Sequence, residues 1–334
     1  MSKKKVTSMD VAKLAGVSQS TVSRVFGSGA NVSEKKRIQI LDAAERLGYQ
    51  PNAIARGLIT NQTKMIGIVM RNIQNPFYPE VLEKFYVKLA EKGYHLIFMN
   101  SEHNLVQEDD ISHLIEYHVD GVIITDALLS SSAVKRFLKN DIAVILFNRY
   151  IENADYSAVF CDNYLAGQKI ADYLVETGHK HFAFISGPLE TSTTMDRKKG
   201  FEESLAKHGF FDIEVEIGNY SYESGFAAAK KILQSNNQID SIFCSNDITA
   251  LGAIDAAKSL GIQVPEDLSV IGFDDISMAS WPSYSLTTWQ QPVDEMVHST
   301  IALLLNEMNV EEKKVAKHAI PGELIIRGSV KKRL

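Results

Sequence analysis

The sequence predicts a chain of two unlike parts: an N-terminal all-α helix-turn-helix headpiece and an α/β core made of two doubly wound parallel-sheet lobes. Three observations carry this prediction. Basic residues concentrate at the N-terminus, two short helical segments there are joined by a glycine turn, and apolar strands alternate with amphipathic helices afterwards. A length of 334 residues suits two or three domains.

Charge is distributed unevenly along the chain. The net formal charge is −6, yet residues 1–64 contain eleven Lys and Arg residues against four acids, so this segment carries +7 and the remainder −13. A basic segment on an otherwise acidic chain indicates contact with nucleic acid once a fold aims the charges.

Three short helices are predicted in the first 50 residues. The first begins at Ser8 and ends at Gly16, Ser18 caps the second, over 19–26, and a third over 33–47 closes the core. The residues expected to face this core are Val11, Leu14 and Ala15, then Val22, Val25 and Phe26, then Ile38, Leu41, Ala44 and Leu47. Two helices joined by a glycine turn and closed by a third form a helix-turn-helix.

The second helix carries polar side chains that suit the reading of DNA bases. If its N-terminal end enters a major groove, Gln19, Ser20 and Arg24 project towards base edges. Glutamine pairs with adenine there and arginine with guanine. The alternative is a small helical domain whose polar face is merely solvated.

The same segments carry a specific resemblance. The run VTSMDVAKLAGVSQSTVSRVF of residues 6–26, the NVS of 31–33 and the run LGYQPNAIARGL of 47–58 resemble the lactose repressor/galactose repressor (LacI/GalR) family of bacterial transcription regulators. The resemblance covers the whole chain and implies base contacts from Gln19, Ser20 and Arg24. It also implies phosphate contacts from Thr7, Ser18, Thr21, Asn31, Val32 and Ser33.

The resemblance further implies a hinge helix that begins after Pro51 and orders on operator binding. Its minor-groove residues would be Asn52, Ala55 and Leu58, with Leu58 as the wedge. So short a segment, containing a glycine, cannot hold a helix alone in water. An apolar wedge between base steps repays the unstacking of the bases. The alternative is that Leu58 is a linker residue packed against the core.

Strands and helices alternate from Lys64 onward in two series, with near-continuous apolar strands that indicate parallel sheets covered on both faces. Two such series predict two doubly wound lobes, and ligands of such folds bind beyond the carboxyl ends of the strands. The first series comprises strands 65–70, 95–100, 121–125 and 143–148 with helices 79–93, 107–118 and 131–139. The second comprises helix 163–177, strands 181–186, 213–217, 241–245 and 269–273, and helices 197–208, 222–234 and 248–260.

The order of the domains follows from the resemblance, because the chain of family members crosses between the lobes three times. Helix 294–309 would return to the first lobe, and a strand near 316–328 would end in the second. We expect a headpiece at 1–50, a hinge and linker at 51–63, an N-terminal lobe of a periplasmic-binding-protein-like core at 64–162 with about 292–320, and a C-terminal lobe at 163–291 with about 321–334.

Polar and aromatic side chains that follow the strands form the expected effector site. Amide, carboxylate, guanidinium and aromatic groups suit a polyhydroxyl ligand, because each buried hydroxyl needs a partner. Positions matching the first six residues below contact or line the ligand in sugar-binding family members, although Asn148 stands where an Asp is frequent; Trp281 is added as a rim residue. The site comprises Phe77, Asn148, Arg197, Tyr220, Asn246, Asp274 and Trp281. Each also has an ordinary alternative, such as a helix cap, a surface ion pair or a core position.

Several classes of protein are disfavoured by what the sequence lacks. It contains no P-loop, dinucleotide-binding, nucleophile-elbow or H-E-x-x-H motif, so no enzyme, metal or cofactor is predicted. No apolar run approaches the roughly 18 residues of a membrane span, and the basic N-terminus lacks the apolar stretch of a secretory signal, which predicts the cytoplasm. Cys161 and Cys244 fall in apolar strands and are expected as buried, reduced thiols.

These features together predict a DNA-binding transcription regulator, specifically a repressor, controlled by a small molecule bound between the lobes. A carbohydrate is favoured, with a nucleobase or a phosphoprotein as alternatives. The expected partners are palindromic operator DNA and a second copy of the chain, with helices 79–93 and 294–309 as dimer surfaces and a tetramer left open. Inducer and corepressor remain equally compatible with the sequence. A transporter's extracytoplasmic sugar-binding protein shares the two-lobed fold but has no basic headpiece.

Overall fold

The computed structural model describes residues 6–27, 32–50, 62–71, 73–101, 105–106, 111–125, 128–129, 131–152, 154, 156–310 and 314–333. The chain divides at Lys64 into two compact units, a headpiece and a core. Four residues singled out in the sequence, Asn31 and the hinge residues Asn52, Ala55 and Leu58, lie outside the described residues.

The described headpiece contains helices α1 (Ser8–Ala15), α2 (Gln19–Phe26) and α3 (Glu34–Leu47). Helix α1 begins at Ser8, as predicted, and its N-cap is Thr7. The Thr7 backbone N–H donates to the Asp10 carboxylate at 2.9 Å, and the Thr7 hydroxyl accepts from the Asp10 N–H, which closes a capping box. Gly16 ends α1 with a φ of 64°, a left-handed conformation that favours glycine. Ser18 caps α2, as predicted.

The core of the headpiece differs from the expected set in two helices. Ile38 and Leu41 of α3 are 60% and 43% exposed, and Leu14 of α1 is 43% exposed. The expectation that these three face the core was wrong. Helix α3 instead buries a second stripe at helical spacing, and α1 turns Ala12 inward, because small alanines let the three helices approach closely. The buried set is Val11, Ala12, Val22, Val25, Ile40, Ala43 and Ala44.

The first lobe of the core is a parallel six-stranded sheet in the order β13-β7-β6-β4-β1-β2. Its strands are β1 (Met65–Met70), β2 (His95–Asn100), β4 (Gly121–Ile124), β6 (Ala143–Phe147), β7 (Ser157–Cys161) and β13 (Lys317–Ile320). Its helices are α4 (Phe77–Glu91), α5 (Ser112–Glu116), α6 (Ser131–Lys139) and α11 (Val293–Glu307). The short strands β3 (Leu105–Val106) and β5 (Leu128–Leu129) form a separate parallel pair.

The second lobe has a six-stranded sheet in the order β14-β12-β11-β10-β8-β9, parallel except for the last strand, β14. Its strands are β8 (Phe182–Ser186), β9 (Ile213–Ile217), β10 (Ser241–Cys244), β11 (Ser269–Asp274), β12 (Thr287–Gln290) and β14 (Glu323–Ile325). Its helices are α7 (Asn163–Glu176), α8 (Ser192–Lys207), α9 (Tyr222–Ser235) and α10 (Asp247–Ser259), with a 3₁₀ turn at Ser277–Ser280. The predicted fold class, a helical headpiece with two α/β lobes, is confirmed.

The chain passes between the lobes at three places. It leaves the first lobe between β7 and α7, returns between β12 and α11, and leaves again between β13 and β14. Helix α11 packs against α4 and the strands of the first sheet. Three short connections therefore join the two lobes.

Both cysteines are buried free thiols, as expected. Cys161 ends β7 and Cys244 ends β10, and each is fully inaccessible to solvent. Burial raises the pKa of the Cys161 thiol to about 12, which keeps it protonated and unreactive. None of the described helices is long and apolar enough to cross a bilayer.

Candidate functional site

The exposed side of α2 carries the three residues expected to read bases. Ser20 and Arg24 lie one helical turn apart and are exposed, as is Gln19. The Gln19 amide donates to the Ser8 hydroxyl at 3.1 Å, and the Ser20 hydroxyl lies 2.8 Å from that of Ser18. The first contact ties the beginning of α2 to the beginning of α1, and the second lies within the first turn of α2.

The described candidates for phosphate contact gather at helix N-termini. Thr7 and Ser18 are the N-caps of α1 and α2, and the Thr21 hydroxyl lies 2.8 Å from that of Ser18. Ser33 is the N-cap of α3, yet its hydroxyl makes no capping bond, and Val32 beside it is half-buried. Helix N-termini present unpaired N–H groups and a positive dipole end, so the arrangement can bind anions.

A solvent-open cleft of about 630 Å³ lies between the two lobes of the core. Both lobes contribute side chains to it. Those of the first lobe are Arg71, Asn75, Phe77, Tyr78, Asn148 and Arg149; those of the second are Pro188, Glu190, Thr191, Thr193, Arg197, Asn219, Tyr220, Asn246 and Asp274. Six of the seven expected effector-site residues therefore meet here, although they are spread over almost 200 positions of the chain.

Arg197 is held rigidly on the floor of this cleft. The sequence places the start of its helix at residue 197, but α8 begins at Ser192, so Arg197 lies in the second turn and points inward. Its Nε donates to Asn163 Oδ1 at 2.8 Å, its Nη1 donates to the Ser245 carbonyl, and its guanidinium lies 3.4 Å from the centroid of the Phe273 ring. A guanidinium fixed in this way presents its remaining N–H groups in one direction.

Asp274 supplies a buried carboxylate at the end of β11. Its Oδ1 accepts a bond of 2.7 Å from the Gln291 amide. Burial raises the pKa of Asp274 to about 7, against the lowering effect of Arg197 and Gln291. The carboxyl group is therefore poised to change charge near neutral pH.

Asn246 and Asp247 are neighbours in the chain but have different roles. Asn246 caps α10, since its Oδ1 accepts from the Thr249 N–H at 3.1 Å, and it also lines the cleft. Asp247 is fully buried behind it, where it accepts from the Thr288 hydroxyl at 2.5 Å and the Ile276 N–H at 2.9 Å. The Asp247 carboxylate therefore fixes loops, whereas the Asn246 amide remains at the cleft surface.

Asn148 follows β6 in a left-handed conformation, with φ at 68°. This conformation aims its amide into the cleft, where the Nδ2 donates to Tyr78 Oη at 3.3 Å. Among the described residues nothing donates to its buried Oδ1. A buried acceptor in that state is costly, which makes it a strong site for a ligand hydroxyl.

Tyr220 and Phe77 supply aromatic surface. The Tyr220 hydroxyl lies within 3.2 Å of the hydroxyls of Thr191, Thr193 and Thr194, and the Arg149 guanidinium lies 5.8 Å from the centre of its ring. Phe77 is 2% exposed at the start of α4. Both rings are thus fixed by packing and present a hydrophobic face to the cleft.

Trp281 does not line the cleft. It follows the 3₁₀ turn of the second lobe, and its side chain is 50% exposed. Polar residues at the ends of the predicted strands, Asn75, Tyr78, Arg149, Thr191 and Thr193, also line the cleft. The cleft residues that sequence reasoning missed are Arg71, Pro188, Glu190 and Asn219. They lie within three residues of a residue that was named, so position in the chain was the available signal.

Direct bonds between the lobes lie beside the cleft. The Tyr150 N–H donates to the Ser192 hydroxyl at 3.1 Å, and the Tyr150 hydroxyl donates to the Asp196 carboxylate at 3.0 Å. On another side, the Ser277 N–H donates to the Glu80 carboxylate at 3.4 Å. Tyr150 and Glu80 belong to the first lobe, and their partners belong to the second, so these bonds hold the lobes in their present arrangement.

Comparison with protein-family models and known sequences gives a consistent result. A model of bacterial regulatory proteins of the lacI family matches residues 7–52, and one of a periplasmic binding protein-like domain matches residues 171–330. Catabolite control protein A of Priestia megaterium is 32% identical over 98% of this chain and 99% of its own. The transcriptional repressor PurR of Proteus mirabilis is 33% identical over 97% and 96%, and the ribose operon repressor of Halalkalibacterium halodurans 30% over 97% and 97%.

Solved structures resemble this chain over its whole length. The lac repressor dimer bound to operator and the anti-inducer ONPF matches with a TM-score of 0.87 and 25% identity, covering 98% of this chain and all of that one. The complex of the transcriptional regulator CelR with cellobiose matches with a TM-score of 0.74 and 26% identity, over 97% of this chain and all of that one.

Proposed function

Because the chain belongs to the LacI family of bacterial regulatory proteins, we propose that it is a repressor whose affinity for a palindromic operator is controlled by a carbohydrate bound between its lobes. Family membership makes the chain a DNA-binding transcription regulator with an effector-binding core, not an enzyme. The observation that carries the choice of effector is the set of buried donors and acceptors around the cleft.

The cleft offers a carbohydrate both kinds of hydrogen-bonding partner. The Arg197 guanidinium donates, the Asp274 carboxylate and the Asn148 Oδ1 accept, and the Asn246 amide can do both. Phe77 and Tyr220 provide aromatic faces for the C–H side of a sugar ring. Since each sugar hydroxyl is donor and acceptor at once, this mixture satisfies several hydroxyls without leaving any unpaired. The relative CelR is described in complex with cellobiose, which agrees with this choice.

In the headpiece, we assign base reading to Gln19, Ser20 and Arg24 of the exposed α2 surface. The proposed phosphate contacts are those of Thr7, Ser18, Thr21, Val32 and Ser33 near the helix N-termini, together with Asn31. Asn52, Ala55 and Leu58 remain the proposed minor-groove residues of the hinge, with Leu58 as the wedge. The protein would work in the cytoplasm, where its operator is.

The proposed assembly is a homodimer that places two headpieces on half-sites about 10 base pairs apart. Helices α4 and α11 lie together in the first lobe, with Lys84 Nζ 2.7 Å from the Asp294 carboxylate. Helix α4 leaves Tyr86 and Val87 exposed, which supports its use as a dimer surface. The effector would act through its different affinities for two arrangements of the lobes.

The effector assignment is tested by thermal denaturation with sugars, sugar phosphates and nucleobases, followed by calorimetry of any compound that stabilises the protein. Asn148→Gly removes the side-chain amide, and glycine adopts the φ of 68° at this position without strain. We expect wild-type stability and an effector affinity lowered by about 5- to 100-fold, since about 1–3 kcal/mol of hydrogen bonding is lost. Stabilisation by nucleobases alone would refute the carbohydrate assignment.

The DNA assignment is tested with Arg24→Ala. We expect specific operator binding to weaken by about 1–3 kcal/mol, because a bidentate base contact is lost, while effector binding is unchanged. Gel-shift titrations on operator and scrambled DNA measure the difference. Equal losses of affinity for the two DNAs would assign Arg24 to phosphate contact instead. Lys13→Ala on α1 is the control, because it also removes one positive charge from the headpiece.

A further inference from the structure

Amide side chains at the connections between the lobes hold two charged groups of the cleft. Asn163 follows the first connection, between β7 and α7, and its Oδ1 accepts from Arg197 Nε at 2.8 Å. Gln291 lies in the second connection, between β12 and α11, and its Nε2 donates to Asp274 Oδ1 at 2.7 Å. We propose that Gln291 is a positioning residue that couples the charge of Asp274 to the second connection. The inference rests on the proposed function only in placing Asp274 in the effector site.

The Asp274 carboxyl group depends on the contacts that hold it. Asp274 has a φ of 117°, in the left-handed region that favours glycine, so its backbone needs support from its surroundings. Burial raises the pKa of Asp274, and the Gln291 amide acts against this rise, because a donor at 2.7 Å stabilises a carboxylate more than a neutral carboxyl group. Loss of the amide therefore changes the charge of Asp274 as well as the packing around it.

Other titratable and charged groups face Asp274 from the elements packed around it. They are Arg197 of α8, Glu80 of α4, Asp247 of α10 and Cys161 of β7. Each of them belongs to a helix or strand of one lobe. Gln291 differs from them, because its backbone lies between a strand of the second lobe and a helix of the first. A change at Gln291 therefore reaches the backbone on which the arrangement of the lobes depends.

The Gln291 amide has two orientations that suit the two charge states of Asp274. Gln291 is 3% exposed, and among the described residues nothing donates to its buried Oε1. An acceptor in that state is costly. When Asp274 takes up a proton, its new O–H needs an acceptor, and a half-turn of the amide brings Oε1 to the place of Nε2. The orientation of the Gln291 side chain thus follows the charge of Asp274.

The second connection lies close to the third at this point. A Cβ on Gly322, in the third connection, would lie 2.2 Å from the Gln290 carbonyl oxygen and 2.5 Å from the Trp289 indole nitrogen. No space separates the two backbones there, so a displacement of one is felt by the other. Trp289 precedes Gln291 by two residues and is 3% exposed, which makes its indole a reporter for this part of the molecule.

The first test is the pH profile of Gln291→Met, which keeps the length of the side chain and removes the amide. We expect it to lower the Tm of the core by about 2–4 °C more at pH 8 than at pH 6, because the bond to the charged carboxylate is the stronger one. In an Asp274→Asn background the loss of Tm should be the same at both pH values. Gln290→Met is the matched control. Its amide donates to Asp275 at 2.7 Å, outside the cleft, and its loss of Tm should not depend on pH.

The second test is the emission of Trp289 in a Trp281→Phe background. Between pH 6 and pH 8 the emission should shift when Asp274 and Gln291 are both intact, and also in Gln290→Met. It should stay constant in Asp274→Asn and in Gln291→Met. Gln291→Asn, whose amide is one carbon shorter and cannot keep the bond of 2.7 Å, should give both results if the methionine variant fails to fold.

Each outcome supports or refutes the coupling. Equal losses of Tm at pH 6 and pH 8 would show that Gln291 does not serve the charge of Asp274. A Trp289 shift that persists in Gln291→Met would show that the indole senses the carboxyl group directly, and no shift in the parent protein would mean that the charge does not reach the connection; either result refutes the coupling. Neither test contains effector or DNA, so the proposed function stands if the coupling fails, and the coupling stands if no carbohydrate binds.

Discussion

Burial disfavours the charged form of the Asp274 carboxyl group in the unliganded protein. It is 7% exposed, and burial together with Glu80 raises its pKa, while Arg197, Gln291 and Asn75 lower it; the result is about 7. Its pKa in the unfolded chain is about 4. Since the folded-state pKa is the higher one, protonation of Asp274 stabilises the fold below about pH 4, and this contribution is lost as the pH rises through about 7.

Asp274→Asn should therefore separate stability from binding. At pH 8 we expect the unliganded variant to be more stable than wild type by about 1–3 kcal/mol, because no charge has to be buried. Effector affinity of wild type should rise from pH 6 to pH 8 as the carboxylate that accepts ligand hydroxyls forms, and the variant should bind weakly with a flat profile. Thermal denaturation and calorimetry at both pH values measure the two effects.

The neighbouring Asp275 provides the control for this experiment. Its carboxylate pairs with Arg327 Nη2 at 2.7 Å and accepts from the Gln290 amide at 2.7 Å, outside the cleft. Asp275→Asn should consequently lower stability and leave the pH dependence of binding as in wild type. An Asp274→Asn protein that loses stability at pH 8, as the Asp275 variant should, would contradict the account given for Asp274.

Individual residues were predictable where chemistry restricts the choice. Gly16 and Ser18 were assigned correctly as helix stop and cap, because few residues adopt those conformations. Asn246 was ambiguous, since capping and lining the cleft use the same amide, and the fold uses it for both. The position of Trp281 outside the cleft depends on a 3₁₀ turn that no local pattern announces.

At the scale of elements, the packing of α7 on α8 determines where Arg197 lies. The two helices cross at glycines, and a Cβ on Gly167 would lie 2.3 Å from the Arg197 carbonyl oxygen and 2.8 Å from the Phe201 nitrogen. No side chain fits there, so any residue larger than glycine must push the backbone of Arg197 away. The crossing therefore sets the height of the guanidinium in the cleft.

Gly167→Ala should weaken effector binding by at least about tenfold and destabilise the core by about 1–3 kcal/mol, because the helices are forced apart. Gly252→Ala is the matched variant. Its Cβ would lie 2.2 Å from the Tyr222 carbonyl oxygen and 2.8 Å from the Phe226 nitrogen, at the crossing of α9 and α10. We expect the two variants to lose similar amounts of Tm, and Gly167→Ala to lose more effector affinity than Gly252→Ala. Equal losses of affinity would show that the crossing of α7 and α8 has no special link to Arg197.

The elements that were predicted well have strong apolar patterns. The strand over 65–70 and the helix over 131–139 have the expected bounds, as do the strands over 95–100 and 213–217. Strand β12 was missed because its sequence, TTWQ, looks polar, although Thr287 and Thr288 are fully buried. The first turn of α8 was missed for the same reason, since its residues Ser192–Thr194 are hydroxyl-bearing yet buried. Whether a hydroxyl-bearing residue is buried depends on hydrogen-bond partners that are distant in the sequence, and the periodicity of apolar residues gives no information about them.

At the scale of the whole molecule, strands that are neighbours in the sequence belong to different lobes. Strand β13, near the C-terminus, pairs with β7, whereas β14, two residues further on, pairs with β12 of the other lobe. Local propensity gives no hint of this exchange, and only the resemblance to a known family implied it. Trp289 and Gly322 meet at these crossings, where a Cβ on Gly322 would lie 2.5 Å from the indole nitrogen. Trp289 therefore lies beside one of the connections between the lobes.

Among the hydrogen bonds given above between the lobes, the one from the Tyr150 hydroxyl to Asp196 joins two side chains and is partly buried. Burial and the nearby Asp196 raise the pKa of Tyr150, and burial raises that of Asp196. Tyr150 thus stays a donor at physiological pH, and its bond to a carboxylate in a partly buried place is stronger than a neutral one. Because the partners lie on different lobes, this bond contributes to the present arrangement and is absent from any arrangement that separates them.

Tyr150→Phe tests whether this bond sets the balance between arrangements of the lobes. We expect effector affinity to fall by about 3- to 10-fold, since the loss of one hydrogen bond shifts the population away from the present arrangement of the lobes, in which both lobes line the cleft. Tyr284→Phe removes a bond of equal length, 3.0 Å, to Asp255 within the second lobe, and should lower the Tm without changing effector affinity. In a Trp281→Phe background, the fluorescence of Trp289 should change when the effector binds. Of the two tyrosine variants, only Tyr150→Phe should show part of this change before the effector is added. Matching affinities and spectra in the two tyrosine variants would mean that the bond between Tyr150 and Asp196 stabilises the fold without biasing the lobes.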